Sequence, residues 1–104
     1  MLYELAASGP LGPEGSTLLL RDDAVMSPAI VSDAAWEVDN IHDFVDHLKP
    51  EKRYTLVDIG ANVGLFCRQL CTVCDQIDDA HCVEPERENF QALRYNLGFL
   101  GDRV

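Results

Sequence analysis

The sequence predicts an α/β fold built on a strand–helix–strand–helix (βαβα) unit with parallel strands. Three observations lead to this prediction. A β-branched and largely apolar segment, Tyr54–Ile59, is typical of a strand, a glycine-rich turn follows it, and a helical pattern then separates it from a second short strand. Parallel strands need a crossover of this kind, and the crossover is normally right-handed. The chain of 104 residues is long enough for one domain.

Residues 1–50 are predicted to form an N-terminal lead-in with one short strand and one amphipathic helix. Residues 1–16 contain glycine–proline pairs typical of turns, and Thr17–Arg21 is predicted to be the strand. The helix is predicted from apolar residues spaced i, i+3, i+4 and i+7, and Pro50 ends it. These apolar residues are Ile41, Phe44, Val45 and Leu48.

Residues 51–104 are predicted to contain the βαβα unit. Tyr54–Ile59 is expected to be buried on both faces, as in a parallel sheet. A helix over 65–74, an acidic loop over 75–79 and a strand over 81–84 follow. Pro85 suits the first turn of the last helix.

The last helix is predicted to bury one face and to end at a glycine. Phe90, Leu93 and Leu97 are expected to form the buried face, and Gly98 or Gly101 the end.

Composition and charge exclude several classes of partner. Eighteen acidic residues against eight lysines and arginines give a net charge of −10, which disfavours binding to nucleic acids and to anionic membranes. The apolar runs are too short to cross a bilayer. Because Glu4 precedes any apolar stretch, no signal peptide is expected, and the chain is predicted to be cytoplasmic with reduced cysteines.

The candidate site combines the glycine turn with carboxylates at the ends of both predicted strands. Glycines at 60 and 64 let the backbone approach a ligand, and Asp58 and Glu84 belong at the carboxyl ends of the strands, where ligands bind in open α/β sheets. Glu84 comes twenty residues after Gly64, a position from which a carboxylate can accept hydrogen bonds from ribose hydroxyls. This pairing predicts a nucleoside ligand.

S-adenosylmethionine fits this turn better than NAD. A dinucleotide turn needs the pattern G-x-G-x-x-G, and here the middle glycine is replaced by Asn62 while Gly64 comes one residue early. Asp58 would also repel a pyrophosphate, whereas a cationic sulfonium and an ammonium group tolerate it. An NAD-dependent enzyme remains a less favoured alternative.

The segments VDIGANVGLF and VEPERENFQALRYNLG resemble the FkbM family of class I S-adenosylmethionine-dependent methyltransferases. The resemblance rests on the D-I-G-A-N-x-G turn and on Glu84-Pro85, Asn89, Leu93 and Asn96 after the second strand. It covers roughly residues 54–100 and extends weakly over Trp36 to Pro50, where Trp36-Glu37 resembles an aromatic–glutamate pair that members of the family often carry before a helix.

The resemblance implies a Rossmann-like methyltransferase fold, a three-layer αβα sandwich when complete, and O-methylation of a small-molecule or sugar hydroxyl. It also implies a cofactor site in which Asp58 and the turn hold the methionine portion, Glu84 holds the ribose, and Glu37 lies near the cofactor. The residues assigned to the cofactor are Glu37, Asp58, Gly60, Ala61, Asn62, Val63, Gly64, Glu84 and Pro85. No catalytic base is assigned, and no metal is expected.

Only the first βαβα part of such a fold fits in 104 residues. We therefore expect the chain to be part of a longer protein, or another chain to complete its sheet. The alternative function is a non-catalytic, truncated methyltransferase-like module that binds a partner chain.

The cysteines suggest two metal sites that we consider less favoured than a structural role. Cys67, Cys71 and Cys74 have the spacing of a radical S-adenosylmethionine cluster motif, and Cys71, Cys74, His81 and Cys82 have the ligand types of a zinc site. The first three fall on one stripe of a predicted helix, where buried cysteine is a common small apolar residue. The aspartates at 75, 78 and 79 lack the spacing of a calcium loop and are expected to be solvated.

Overall fold

A computed structural model of the chain describes residues 2–7, 9–12, 16–21 and 38–103. This part contains two small sheets and three helices. The strands are β1 (Leu2–Ala6), β2 (Thr17–Arg21), β3 (Tyr54–Ile59) and β4 (Ile77–Val83), and the helices are α1 (Val38–Asp46), α2 (Leu65–Val73) and α3 (Arg87–Leu97). The Cα radius of gyration is 13.0 Å, as compact as a folded chain of this length should be. The α/β class is therefore confirmed.

The predicted βαβα unit is present, with β3 and β4 paired in parallel across α2. Its second strand is longer than predicted, because β4 begins at Ile77 and includes three residues of the predicted acidic loop. The register is irregular at Tyr54/Thr55, where Ile77 and Asp79 face consecutive residues of β3. Asp78 is thus the extra residue, and its carboxylate binds Arg53 at 2.5 Å instead of lying in a free loop.

One face of the β3–β4 sheet is covered, and the other is open among the described residues. Leu56 and Ala80 on the covered face are 7% and 2% exposed, whereas Val57 and Ile59 on the open face are 61% and 80% exposed. The prediction that β3 is buried on both faces was therefore wrong. The apolar core contains side chains from one face only, and the alternation of side chains along a strand turns the others to solvent.

The segment predicted as a loose lead-in contains a strand. β1 pairs with β2 in an antiparallel hairpin whose register runs from Leu2 opposite Arg21 to Ala6 opposite Thr17. The two strands are joined through residues that include a short 3₁₀ turn, Gly9–Leu11. Side chains alternate between the two faces of β2, and Leu18 and Leu20 on one face are completely buried. The hairpin therefore has an apolar face that requires a partner.

The hairpin packs against the βαβα unit and forms a second apolar cluster. Its members come from the hairpin, the glycine turn, α2 and α3: Ala7, Leu11, Leu18, Leu20, Val63, Leu65 and Ala92. Helix α2 lies between this cluster and the one beneath β3 and β4, so even its polar residues Arg68 and Gln69 are buried. The predicted division at residue 50 stays a prediction.

The predicted helices are confirmed with shifted boundaries. Helix α1 ends at Asp46, before Pro50, and buries Ile41, while Phe44 is 37% exposed and stacks edge-on against Phe66. Helix α3 begins at Arg87 instead of Pro85, because the Glu86 carboxylate accepts a hydrogen bond from the Asn89 N–H and caps the first turn.

The buried face of α3 was predicted correctly at Leu93 and Leu97 but not at Phe90, which is 42% exposed. Ala92 and Asn96 occupy the rest of that face, because α3 packs against both the hairpin and α2. None of the helices in the described ranges is long and apolar enough to cross a membrane.

Candidate functional site

The glycine turn between β3 and α2 is built from three residues with left-handed backbone conformations. Gly60, Asn62 and Gly64 have φ angles of 78°, 56° and 86°. Among residue types other than glycine, asparagine is one of those that best tolerate the left-handed region of backbone conformation. This explains why Asn62 can occupy the middle position of the turn.

Backbone hydrogen bonds attach the turn to the end of β4. The N–H groups of Gly60 and Ala61 both donate to the carbonyl of Val83, at 2.8 and 3.0 Å, and Gly64 donates to Ala61 at 2.9 Å. The turn therefore lies directly against the last residue of β4, next to Glu84.

The Glu84 carboxylate binds the turn itself. Its Oε1 accepts a hydrogen bond from the Asn62 N–H at 2.8 Å, and its Oε2 accepts one from the Glu86 N–H at 3.1 Å. A carboxylate has about four acceptor positions, so these two bonds fix its orientation and leave acceptor capacity for a ligand. The structure thus brings together the two features from which the sequence predicts a nucleoside ligand.

The two glycines at the ends of the turn have different surroundings. A Cβ at Gly60 would meet no heavy atom within 4 Å, whereas one at Gly64 would lie 3.3 Å from Leu97 Cγ and 3.4 Å from Leu93 Cγ. Gly60 therefore leaves an open surface on which a ligand can approach the backbone. Gly64 is required for the close packing of the turn against α3.

Asp58 contributes a partly buried carboxylate near the end of β3. Its Oδ2 atom is buried and has no hydrogen-bond partner among the described residues. Burial raises the pKa of this carboxyl group above its ordinary value, because removal from water disfavours the charged form. A buried and unsatisfied acceptor of this kind needs a donor or a cation, and a ligand could supply either.

The remaining predicted cofactor residues differ in their access to a ligand. Ala61 and Val63 are buried, one in each apolar cluster, so only their backbone is available to contact a ligand. Pro85 is exposed. Glu37, together with Trp36, lies outside the described residues.

The three helical cysteines are buried, as predicted for a structural stripe. Cys67, Cys71 and Cys74 are 0%, 6% and 5% exposed, and the Sγ atoms of Cys67 and Cys71 lie 4.0 Å apart. Cys82 in β4 is half-buried, and all four are free thiols. No group of three or more histidine, cysteine or acidic side chains in the described ranges is arranged to hold a metal ion.

A buried polar residue on α3, Asn96, links the hairpin to the turn. It is fully buried, and its Nδ2 donates to the carbonyls of Leu19 and Val63, both at 2.8 Å. Its Oδ1 accepts the Leu19 N–H at 2.6 Å. All three polar contacts of the side chain are long-range, so sequence spacing gave no signal for them, although Asn96 belongs to the family-like pattern.

Arg68 on α2 is the second buried polar residue at this junction. Its guanidinium donates to the carbonyls of Leu11 and Asn96, the latter at 2.8 Å, and to the Ser16 hydroxyl at 3.1 Å. Burial lowers its pKa. The adjacent polar pair Arg68-Gln69 in an otherwise mostly apolar and cysteine-rich helix was the sequence signal that one side of α2 meets polar groups.

Comparisons with protein-family models, with curated proteins and with solved structures find no match to this chain. Its function is therefore inferred from its own residues.

Proposed function

We propose that the chain is the cofactor-binding half of an S-adenosylmethionine-dependent methyltransferase that methylates a hydroxyl of a small molecule or sugar. The observation that supports this most strongly is the hydrogen bond of 2.8 Å between Glu84 Oε1 and the Asn62 N–H. It joins the acid after the second strand to the glycine turn after the first, the combination that favours an adenosine-containing ligand. The resemblance of both segments to the FkbM family points to the same cofactor.

The chemistry of the site suits a ligand that is cationic at one end and carries a ribose. Glu84 retains acceptor capacity for a diol, and Gly60 leaves the backbone accessible beside it. The buried Oδ2 of Asp58 would gain a favourable interaction with an ammonium or sulfonium group. A pyrophosphate would place further negative charge against Asp58, which is why we favour S-adenosylmethionine over NAD.

When bound, S-adenosylmethionine supplies the reactive methyl carbon, and the protein contributes alignment and electrostatics. Glu84 would orient the ribose, and the backbone of the turn together with Asp58 would hold the methionine portion. The three histidines of the chain, His42, His47 and His81, are all exposed. We assign none of them as a catalytic base.

Titration calorimetry with S-adenosylmethionine and S-adenosylhomocysteine tests this proposal. The Glu84→Gln variant should bind both ligands about 10- to 100-fold more weakly, since a hydrogen bond to a charged group contributes roughly 1.5–3 kcal/mol. Glu51→Gln is the control, because it removes one negative charge at an exposed position outside the turn. Equal affinities in the two variants, or binding of NADH in place of either ligand, would contradict the proposal.

The alternative proposal is a non-catalytic module that binds a partner chain. It is favoured by the open face of the β3–β4 sheet, where Val57, Ile59 and Val83 are 61%, 80% and 53% exposed. Such a cluster of β-branched residues is unusual on a surface that stays in water. Failure of the wild-type chain to bind S-adenosylmethionine, even with a partner present, would favour this alternative.

A further inference from the structure

The glycine turn is held from two sides. On one side Glu84 binds the Asn62 N–H, and on the other Asn96 binds the Val63 carbonyl, both at 2.8 Å. The Asn62 N–H belongs to the peptide unit that joins residues 61 and 62, and the Val63 carbonyl to the unit that joins residues 63 and 64, so the two bonds hold the units on either side of the central Asn62–Val63 peptide. A change in either bond therefore affects the orientation of the backbone at the centre of the turn.

The orientation of the Asn96 side chain is determined by its partners. Leu19 offers both an N–H and a carbonyl to it, at 2.6 and 2.8 Å, so the oxygen must face the N–H and the amide nitrogen must face the carbonyl. The second amide proton then points at Val63. The side chain bonds to Leu19 much as a neighbouring strand would, and it cannot rotate without leaving buried polar groups unsatisfied.

The backbone of Asn96 is held as well. Its carbonyl accepts a hydrogen bond of 2.8 Å from Arg68, which also binds the carbonyl of Leu11 near the hairpin. The Arg68 N–H in turn donates to the Gly64 carbonyl at 2.9 Å, at the start of α2. The hairpin, the turn and the end of α3 are thus connected by a continuous set of buried and partly buried hydrogen bonds.

From this geometry we infer that Asn96 is a positioning residue: its amide connects the edge of β2 to the Val63 carbonyl and so keeps the Asn62 N–H in place for Glu84. The N-terminal hairpin thereby helps to determine the shape of the site. The consequence for ligand affinity rests on the proposed cofactor function, whereas the consequence for the turn does not.

Amide hydrogen exchange measured by NMR on the full chain tests this inference. In Asn96→Asp both donor protons are lost, and the single carboxylate oxygen that replaces Nδ2 would face the carbonyls of Leu19 and Val63. The Asn62 amide should then exchange at least about tenfold faster relative to the Cys74 amide, which donates to the Leu70 carbonyl and caps the C-terminal end of α2. A merely structural role would accelerate both amides equally.

Asn89→Asp is the matched control, since it makes the same chemical change on α3 at a side chain that accepts a hydrogen bond from Arg21. The control should leave the Asn62-to-Cys74 ratio unchanged. An unchanged ratio in folded Asn96→Asp would overturn the inference, whether or not the wild type binds S-adenosylmethionine. Absence of that binding in the wild type, with the exchange effect intact, would refute the proposed function alone.

The wild-type chain provides a second measurement if Asn96→Asp does not fold. The Asn96 side-chain protons should be protected from exchange to the same degree as the Asn62 amide, because one opening of the turn exposes both. Rapid exchange of the side-chain protons beside a protected Asn62 amide would overturn the inference.

Discussion

Replacing Gly60 and Gly64 by alanine, one at a time, separates the ligand-facing end of the turn from its packed end. Both glycines have left-handed φ angles, 78° and 86°, so alanine at either position costs roughly 1 kcal/mol in backbone strain. At Gly64 the new Cβ would also lie 3.3 Å from Leu97 Cγ and 3.4 Å from Leu93 Cγ. Overpacking of this kind costs roughly 1–3 kcal/mol more.

We therefore expect Gly60→Ala to lower the free energy of unfolding by about 1 kcal/mol and Gly64→Ala by about 2–4 kcal/mol. Urea titration followed by far-ultraviolet circular dichroism measures both values. The loss of chain entropy in the unfolded state is similar for the two substitutions, so their difference reports the contacts with α3. Equal losses, or a larger loss at Gly60, would refute this explanation of the turn.

The same pair of variants also tests ligand access. The Cβ at Gly60 would enter space that is empty within 4 Å. If this space receives the cofactor, Gly60→Ala should weaken S-adenosylmethionine binding at least about tenfold while the fold is nearly unaffected. Full affinity in that variant would place the ligand elsewhere.

Three further predictions concern the carboxylate, the thiols and the open sheet face. Asp58→Asn should raise the free energy of unfolding at neutral pH by up to about 1 kcal/mol. It should also weaken the binding of S-adenosylmethionine and of S-adenosylhomocysteine to the same extent. Burial raises the pKa of Asp58, so the folded state binds a proton at the Asp58 carboxyl more tightly than the unfolded state does. The stability gained by Asp58→Asn should therefore disappear as the pH falls through the folded-state pKa and then the unfolded-state pKa of Asp58. A gain that persists below both values would contradict this prediction. Cys82 should be the first of the four cysteines to react with iodoacetamide, because it is only half-buried and a hydrogen bond from Cys67 lowers its pKa. Mass spectrometry follows the labelling, and earlier labelling of Cys67 would contradict this prediction. Ile59→Thr should change the free energy of unfolding by less than about 0.5 kcal/mol, whereas Leu56→Ala, three residues closer to the start of β3 and on the covered face, should lower it by about 2–4 kcal/mol. Thermal unfolding measures both, and similar losses for the two variants would mean that the open face is covered in solution.

The errors of sequence interpretation have identifiable causes. Phe90 matched the helical spacing of Leu93, but α3 packs against two elements, and the buried face is centred on Ala92 and Asn96 instead. β1 was missed because a five-residue strand next to glycine–proline pairs has little signal of its own until it pairs with β2.

The features read correctly from the chain are those that depend on neighbours a few positions apart. The β-branched run of β3, the glycines that allow positive φ angles, the helical spacing of α2 and the acid that follows β4 are of this kind, because dihedral preferences and side-chain periodicity act locally. The contacts that shape the site join residues far apart in sequence: Asn62 with Glu84 over 22 positions, Val63 with Asn96 over 33 and Leu19 with Asn96 over 77. Such contacts form only when the hairpin and α3 bury their apolar faces against each other, and no local pattern encodes which buried polar groups will then meet.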